Sequence, residues 1–251
     1  MAKKLANKTA LITGAAKRIG RAIPLGLAKE GANIVIHYSA SAKEADQLRE
    51  ELTSLHVTAW TIKADFSKPP EYETLIQRAS DAAGPLDILL NNASVFSADH
   101  LGNADFKGLM RQIEINAWVP FVLSREFERR RRGHIINILD ARIAGHDREH
   151  VSYLLSKQML ATLTQMTALD FAPAITVNGI APGLILSPAG EDEKYLQNLA
   201  RSVPLKRPGS PEDIVSAAIY LLTNDFLTGQ ILFVDGGRHI AGENDGPDYY
   251  Q

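Results

Sequence analysis

Thr9-Ala10-Leu11-Ile12-Thr13-Gly14-Ala15-Ala16-Lys17-Arg18-Ile19-Gly20-Arg21-Ala22 is the stretch that decides the fold. A short apolar run enters a glycine turn, and a helical pattern follows that ends near Gly31. Glycine in such a turn lets the backbone approach a pyrophosphate, while the helix behind it presents unpaired N–H groups and a partial positive charge. Gly14 and Gly20, placed after a first strand and opening a first helix, therefore predict a dinucleotide site; the bland alternative is an ordinary βα turn.

Outward from this point, short apolar runs alternate with longer segments of helical spacing, which predicts βαβ units around a parallel sheet. The expected strands are Thr9 to Thr13, Asn33 to His37, Thr58 to Lys63, Ile88 to Asn91, His134 to Leu139, Ile175 to Gly179 and Gln230 to Val234. Runs such as Ile135-Ile136-Asn137-Ile138-Leu139 barely alternate, as suits strands covered by helices on both faces. The fold class is thus α/β: a three-layer, doubly wound, mainly parallel seven-stranded sheet. Long helices are expected at Val151 to Phe171 and at Pro211 to Leu222, the latter opened by Ser210-Pro211-Glu212-Asp213. With no repeat, low-complexity linker or second boundary, residues 1–251 read as one domain. Its polar tail, Gly242 to Gln251, is expected to be loose or ordered only by a neighbouring subunit.

Composition narrows the chemistry. Of 251 residues, 45% are hydrophobic and 22% charged, as in a globular chain. The 29 acidic residues nearly balance 27 basic ones, which argues against a nucleic-acid partner. Arg129 to Arg132 precede Gly133 and read as a solvated helix end complementing the dipole. There is no cysteine, so disulfides and thiolate metal sites are excluded; His134, His146 and His150 lack metal-ligand spacing, and no metal is expected. No stretch approaches the roughly 18 apolar residues of a membrane span, and the basic N-terminus runs straight into the glycine turn. A cytoplasmic enzyme is the expectation.

At the end of the second strand, where an acid would hold the ribose hydroxyls of NAD, the chain reads His37-Tyr38-Ser39-Ala40-Ser41. Lys17, Arg18, Ser39 and Ser41 offer charge and hydrogen bonds to a 2′-phosphate instead, which favours NADP(H). Tyr153-Leu154-Leu155-Ser156-Lys157 sets a phenol and an ammonium on one helix face. Spacing alone makes such a pair common and usually solvated; a nearby cation would lower the phenol's pKa and suit it to proton exchange.

Together these features resemble the short-chain dehydrogenase/reductase family over nearly the whole length, and hence a Rossmann-type fold. The resemblance rests on the Thr13-Gly14 loop, Asp65, Asn91-Asn92-Ala93, Asn116, Tyr153 with Lys157, Pro182-Gly183 and Val234-Asp235-Gly236-Gly237. It implies that Tyr153 exchanges the proton, Lys157 holds the nicotinamide ribose and tunes Tyr153, Asn116 supports a relay water, and Asp65 meets the adenine. It further implies cofactor contacts at Gly14, Lys17, Arg18, Ile19, Gly20, His37, Tyr38, Ser39, Ser41, Phe66, Asn92, Ala93, Ser94, Pro182 and Gly183.

Three departures resemble the pteridine reductase subgroup: Arg18 in place of a third glycine, Ser94 after the Asn-Asn-Ala turn, and Asp140 in place of a serine at the end of the fifth strand. His37-Tyr38 and Ser41 to Ala45 are also similar to that group, whereas its usual basic residue for the 2′-phosphate is Ala40 here. A carboxyl group suits a pterin, whose ring nitrogens and exocyclic amine accept and donate hydrogen bonds. On this reading Asp140 and Tyr153 handle the proton, Phe96 stacks on the pterin, and Arg18, Ser94 and Leu184 complete the substrate pocket. The blander readings are a backbone cap for Asp140 and core filling for Phe96. Pro182 to Pro188, followed by Glu191-Asp192-Glu193, is expected to form a loop and short helix over the site.

NADPH-dependent pterin reduction, including dihydrofolate, is the leading expectation. Reduction of a ketone, sugar or acyl thioester is the second, and a non-catalytic nucleotide sensor the third. Family resemblance also implies a homotetramer assembled through the long helices flanking the fifth strand and the C-terminal region.

Overall fold

The computed structural model describes residues 3–129, 132–187, 193–201 and 203–241. Arg130, Arg131, the segment 188–192 and the tail from residue 242 lie outside the described residues, and with them part of the expected arginine helix end, part of the loop expected over the site and the expected loose tail. Strands β1 (Thr9–Ile12), β2 (Asn33–Tyr38), β3 (Ala59–Lys63), β4 (Ile88–Asn91), β5 (Gly133–Ile138), β6 (Ile175–Pro182) and β7 (Ile231–Val234) appear where expected. They form one parallel sheet in the order β3-β2-β1-β4-β5-β6-β7. The main difference is β6, which runs three residues past Gly179 because Gly179 to Pro182 pair in register with Ile231 to Val234.

Helices α1 (Ile19–Lys29), α2 (Ala42–Ser54), α3 (Pro69–Glu73), α4 (Leu75–Ala83), α5 (Phe106–Ile113), α6 (Val119–Glu128), α7 (Val151–Phe171), α8 (Glu193–Ala200) and α9 (Pro211–Leu222) fill the connections. The last two long ones have the expected bounds, and the Ser210 N–H donates to Asp213 Oδ2 at 2.8 Å as its capping residues implied. Apolar runs without alternation are explained by two separate cores. Ala10, Ile12, Ile34, Ile36, Ile88, Leu90, Ile136 and Ile138 face α1, α2 and α9. Leu11, Val35, Leu89, Ile135 and Val177 face α3, α4, α6 and the end of α7. Both faces of the central strands are therefore dry, as a doubly wound sheet requires.

Strand order reverses between β1 and β4, and ligands of such sheets bind in the crevice outside the strand ends there. Two features shape that crevice. A π-helical turn, Glu114–Trp118, joins α5 to α6 and carries Asn116, a feature that no periodicity in the sequence announces. Beneath the glycine loop, His37 is buried and stacked on Phe66 with ring centres 4.4 Å apart. Its Nε2 lies 3.0 Å from the Ala64 carbonyl and must carry the proton, which leaves Nδ1 to accept the Gly14 N–H at 3.1 Å.

The side chains of His37 and Phe66 thus support the glycine loop from below. Burial is the largest influence on the imidazole and pulls its pKa from 6.5 to about 4. The unfolded chain binds more protons between these values, so stability falls as pH drops through 6.5 and the loss levels off below about 4. A displacement of that size corresponds to about 3 kcal/mol. Urea denaturation at pH 7 and pH 4.5 should show a smaller pH-dependent loss for His37→Gln than for the wild type; equal losses would contradict this account.

Candidate active site

The crevice is built around a latch between the turns that follow β1 and β4. Thr13 Oγ1 accepts the N–H groups of Asn92 and Ala93 at 2.9 and 3.0 Å, and Asn92 Nδ2 donates to the carbonyls of Thr13 and Gly14, each at 3.0 Å. Such close approach explains both glycines. Gly14 has φ +61, and a Cβ there would sit 2.8 Å from Ala93 Cα; a Cβ on Gly20 would collide with the Gly14 carbonyl and the Asn92 amide. Asn92 and Ala93 hence shape the cradle from behind, while Ile19 starts α1 and packs on the core.

Arg18 stands where a glycine would be unstrained. Its φ of 55 and ψ of −135 fall in a region close to the one that only glycine occupies readily, at a cost of about 1–3 kcal/mol. Its guanidinium crosses the crevice to donate to the Ser187 carbonyl at 2.6 Å. This joins the glycine loop to the segment after β6, where Pro182 is buried, Gly183 packs on Asp235 and Leu184 is half-buried. Lys17 is exposed and pairs with Glu44 at 2.9 Å, a contact that solvent screens.

On the other side of the crevice, β5 ends and delivers Asp140, while α7 brings Tyr153 and Lys157. Tyr153 Oη donates to Asp140 Oδ2 at 3.0 Å. Lys157 is buried, donates from Nζ to the Ile138 carbonyl at 2.8 Å and lies 5.7 Å from the Tyr153 ring centre. Here the structure corrects the sequence reading. Burial first, and the Asp140 carboxylate second, push the Tyr153 phenol well above its usual value. Burial pulls Lys157 down from 10.5 to about 8, so its ammonium starts to lose its proton as pH rises through about 8. The cation does not make Tyr153 a phenolate; burial, and the carboxylate beside it, keep it a phenol, poised to give a proton.

Asp140 has two partners. Its Oδ1 accepts the Arg142 N–H at 2.9 Å, capping a short 3-10 turn, Ala141–Ala144, while Oδ2 takes the phenol. Phe96 is not core filling: it is 51% exposed and meets Tyr153 edge-on at 4.7 Å. Its segment is zipped to the start of α7, where Asp99 Oδ1 accepts the Ser152 N–H at 3.1 Å. Asn116 is buried and its carboxamide is committed to protein: Oδ1 accepts Val95 N–H at 2.8 Å and Ser94 Oγ at 3.0 Å, and Nδ2 donates to Ser156 Oγ at 3.0 Å. The side chain thus fixes the loop that carries Ser94 and Phe96.

Tyr38, Ser39, Ser41 and Asp65 sit at the far end of the crevice, by the ends of β2 and β3. Ser67 N–H and Oγ bond to Asp65 Oδ1 at 3.0 and 2.8 Å, and these bonds hold its carboxyl below the usual range. Sequence reasoning missed the charged rim. Arg142 Nε meets Asp147 Oδ2 at 3.2 Å, His150 Nδ1 meets the same oxygen at 3.1 Å, and the His150 ring stacks on Phe96 at 4.3 Å. Arg238, after β7, is held below its usual pKa chiefly by burial and feels both Asp140 and Asp147. Arg142, two residues past Asp140, was the only one with a local signal. Among the described residues no group of three or more His, Asp or Glu is arranged to hold a metal, and no helix is long and apolar enough to cross a membrane.

A family model described as enoyl-(acyl carrier protein) reductase matches residues 14–239, and the chain belongs to that family, within the short-chain dehydrogenase/reductases. It is an oxidoreductase by fold and site. Among solved structures it is similar to FolM, alternative dihydrofolate reductase 1, from Brucella suis in complex with NADP: TM-score 0.91, 31% identity, 95% of this chain and 98% of that one. Glucose 1-dehydrogenase 2 of Bacillus subtilis is 30% identical over 96% of this chain and 98% of its own length. Dihydromonapterin reductase of Citrobacter koseri is 31% identical over 92% and 96%.

Proposed function

We propose that this protein reduces a pterin, a dihydropteridine to its tetrahydro form with dihydrofolate among the candidates, at the expense of NADPH. The observation that carries the reading is the Tyr153–Asp140 hydrogen bond beneath the exposed ring of Phe96. Likeness to the dihydromonapterin reductase and the NADP-bound alternative dihydrofolate reductase supports it.

The residues present fit the cofactor. Gly14 and Gly20 let the first turn close tightly on Asn92 and Ala93, as no residue with a Cβ could, and the start of α1 behind it carries no side-chain cap. Gly14, Lys17, Arg18 and Gly20 would hold the phosphates, Ser94, Pro182, Gly183 and Lys157 the nicotinamide end, and Tyr38, Ser39, Ser41 and Asp65 the adenosine end. When bound, NADPH supplies the hydride. Tyr153 Oη carries the proton, and Asp140 keeps that proton in place until a more basic substrate nitrogen competes for it. The carboxylate accepts from a pterin's amine or N–H donors, which a serine would do more weakly. Phe96 offers its face to a flat heterocycle, provided that the ring of His150 yields its place.

A second reading, reduction of a sugar or other carbonyl, is favoured by likeness to the glucose dehydrogenase and by the intact Tyr153 and Lys157. NADPH oxidation with dihydrobiopterin, dihydromonapterin, dihydrofolate and a panel of ketones separates the two. Pterins should be consumed and ketones hardly. Tyr153→Phe should lower kcat by at least about 10²-fold while cofactor still binds, and Asp140→Ser should harm pterin turnover more than any ketone activity. Unchanged pterin turnover in Asp140→Ser would remove the proposed role of the carboxylate.

The assembly we propose is a homotetramer. Phe106, Met110, Trp118, Leu155, Met166 and Leu169 are large, apolar and between 42% and 85% exposed on helices flanking β5, more than a solitary chain usually leaves in water. Light scattering should give four times the 27.4 kDa chain mass, and a monomer would contradict it.

A further inference from the structure

An open cleft of about 590 Å³ lies where β2 and β3 end, lined by Ser39, Ala40, Lys63, Asp65, Lys68, Glu71 and Arg78. The adenosine ribose of a dinucleotide belongs at the end of the second strand, and there the chain has only Ser39, the methyl of Ala40 and Ser41. No cation on β2 or its following turn answers a 2′-phosphate. Three cations nevertheless surround the cleft against two carboxylates, and two of the three are engaged. Lys68 pairs with Glu71 at 3.2 Å and approaches Asp65 at 3.9 Å. Arg78 donates to the Lys63 carbonyl at 2.7 Å and to the Glu71 carbonyl at 3.4 Å.

Lys63 is different. It closes β3 opposite Tyr38, in direct register with the residue that precedes Ser39. Its side chain is exposed, forms no ion pair among the described residues, and is near enough to Asp65 to help hold that carboxyl down. Across the crevice, Lys17 would first have to leave Glu44. Ser41 opens α2 without spending its hydroxyl on a capping bond. We propose that Lys63, from the neighbouring edge strand, reads the 2′-phosphate of NADP(H), with Ser39 and Ser41 as its hydroxyl partners. The charge that the sequence lacks at Ala40 is thus supplied across the sheet. Ala40 is part of the arrangement, since a longer side chain there would stand between the phosphate and β3.

The inference rests on the NADP(H) reading, and binding measurements separate the two. Calorimetric titration of the full chain with 2′,5′-ADP, 5′-AMP, NADP+ and NAD+ isolates the contribution of one phosphate without any turnover. Wild type should prefer 2′,5′-ADP over 5′-AMP, and added salt should erode the preference. Lys63→Gln should lose about tenfold in affinity for 2′,5′-ADP and NADP+ while 5′-AMP and NAD+ stay within about twofold, and Lys63→Arg should restore the preference. If Lys63→Gln left the preference intact, or weakened all four ligands alike, the assignment to Lys63 would fail. A wild type without preference would overturn the NADP(H) reading itself.

Discussion

A buried phenol donating to a buried-edge carboxylate is the interaction on which the site depends. Tyr153 and Asp140 come from different elements, the middle of the sheet and the helix packed beside it, and meet at 3.0 Å. In that setting a phenolate would face both desolvation and a like charge, so the neutral phenol is the stable form. Lys157 cannot reverse this, because it is itself taken out of water and spends a donor on the Ile138 carbonyl. A neutral acid beside an acceptor is the arrangement wanted when a substrate nitrogen must gain a proton as it is reduced.

Everything else in the crevice holds this pair opposite a place for the cofactor. The latch from Thr13 to Asn92 and Ala93 fixes the switch point, and the neutral His37 pins Gly14 from below. Asn116 secures the loop that carries Phe96 to the edge of Tyr153. Arg18 accepts a strained backbone and reaches Ser187, so the two sides of the crevice are tied through a residue whose charge faces the site. Strain retained at such a position is expected where side-chain chemistry outweighs backbone comfort.

Much of this was legible beforehand, for physical reasons. The strands are buried on both faces and so read as apolar runs, and α7 and α9 are bounded by residues with strong local preferences. Gly14, Gly20, Asn92, Tyr153, Lys157 and Asp140 carry spacing or motif signals. What escaped depends on contacts made across the fold. Nothing local says that His37 faces inward, that a π turn aims Asn116 at Val95, or that Arg142 and His150 close around Phe96. The sign of the Tyr153 shift was misjudged for the same reason: spacing along α7 reveals the ammonium, whereas the carboxylate arrives from β5.

The most direct measurement of the central claim is the titration of Tyr153 in protein labelled with 13C at the tyrosine Cζ, its signal identified by loss in Tyr153→Phe. The account predicts that, in the free protein, Tyr153 stays protonated to pH values above those of an ordinary tyrosine and titrates lower in Asp140→Ser. A Tyr153 signal that moved at or below the ordinary tyrosine value, and did so regardless of Asp140, would contradict it.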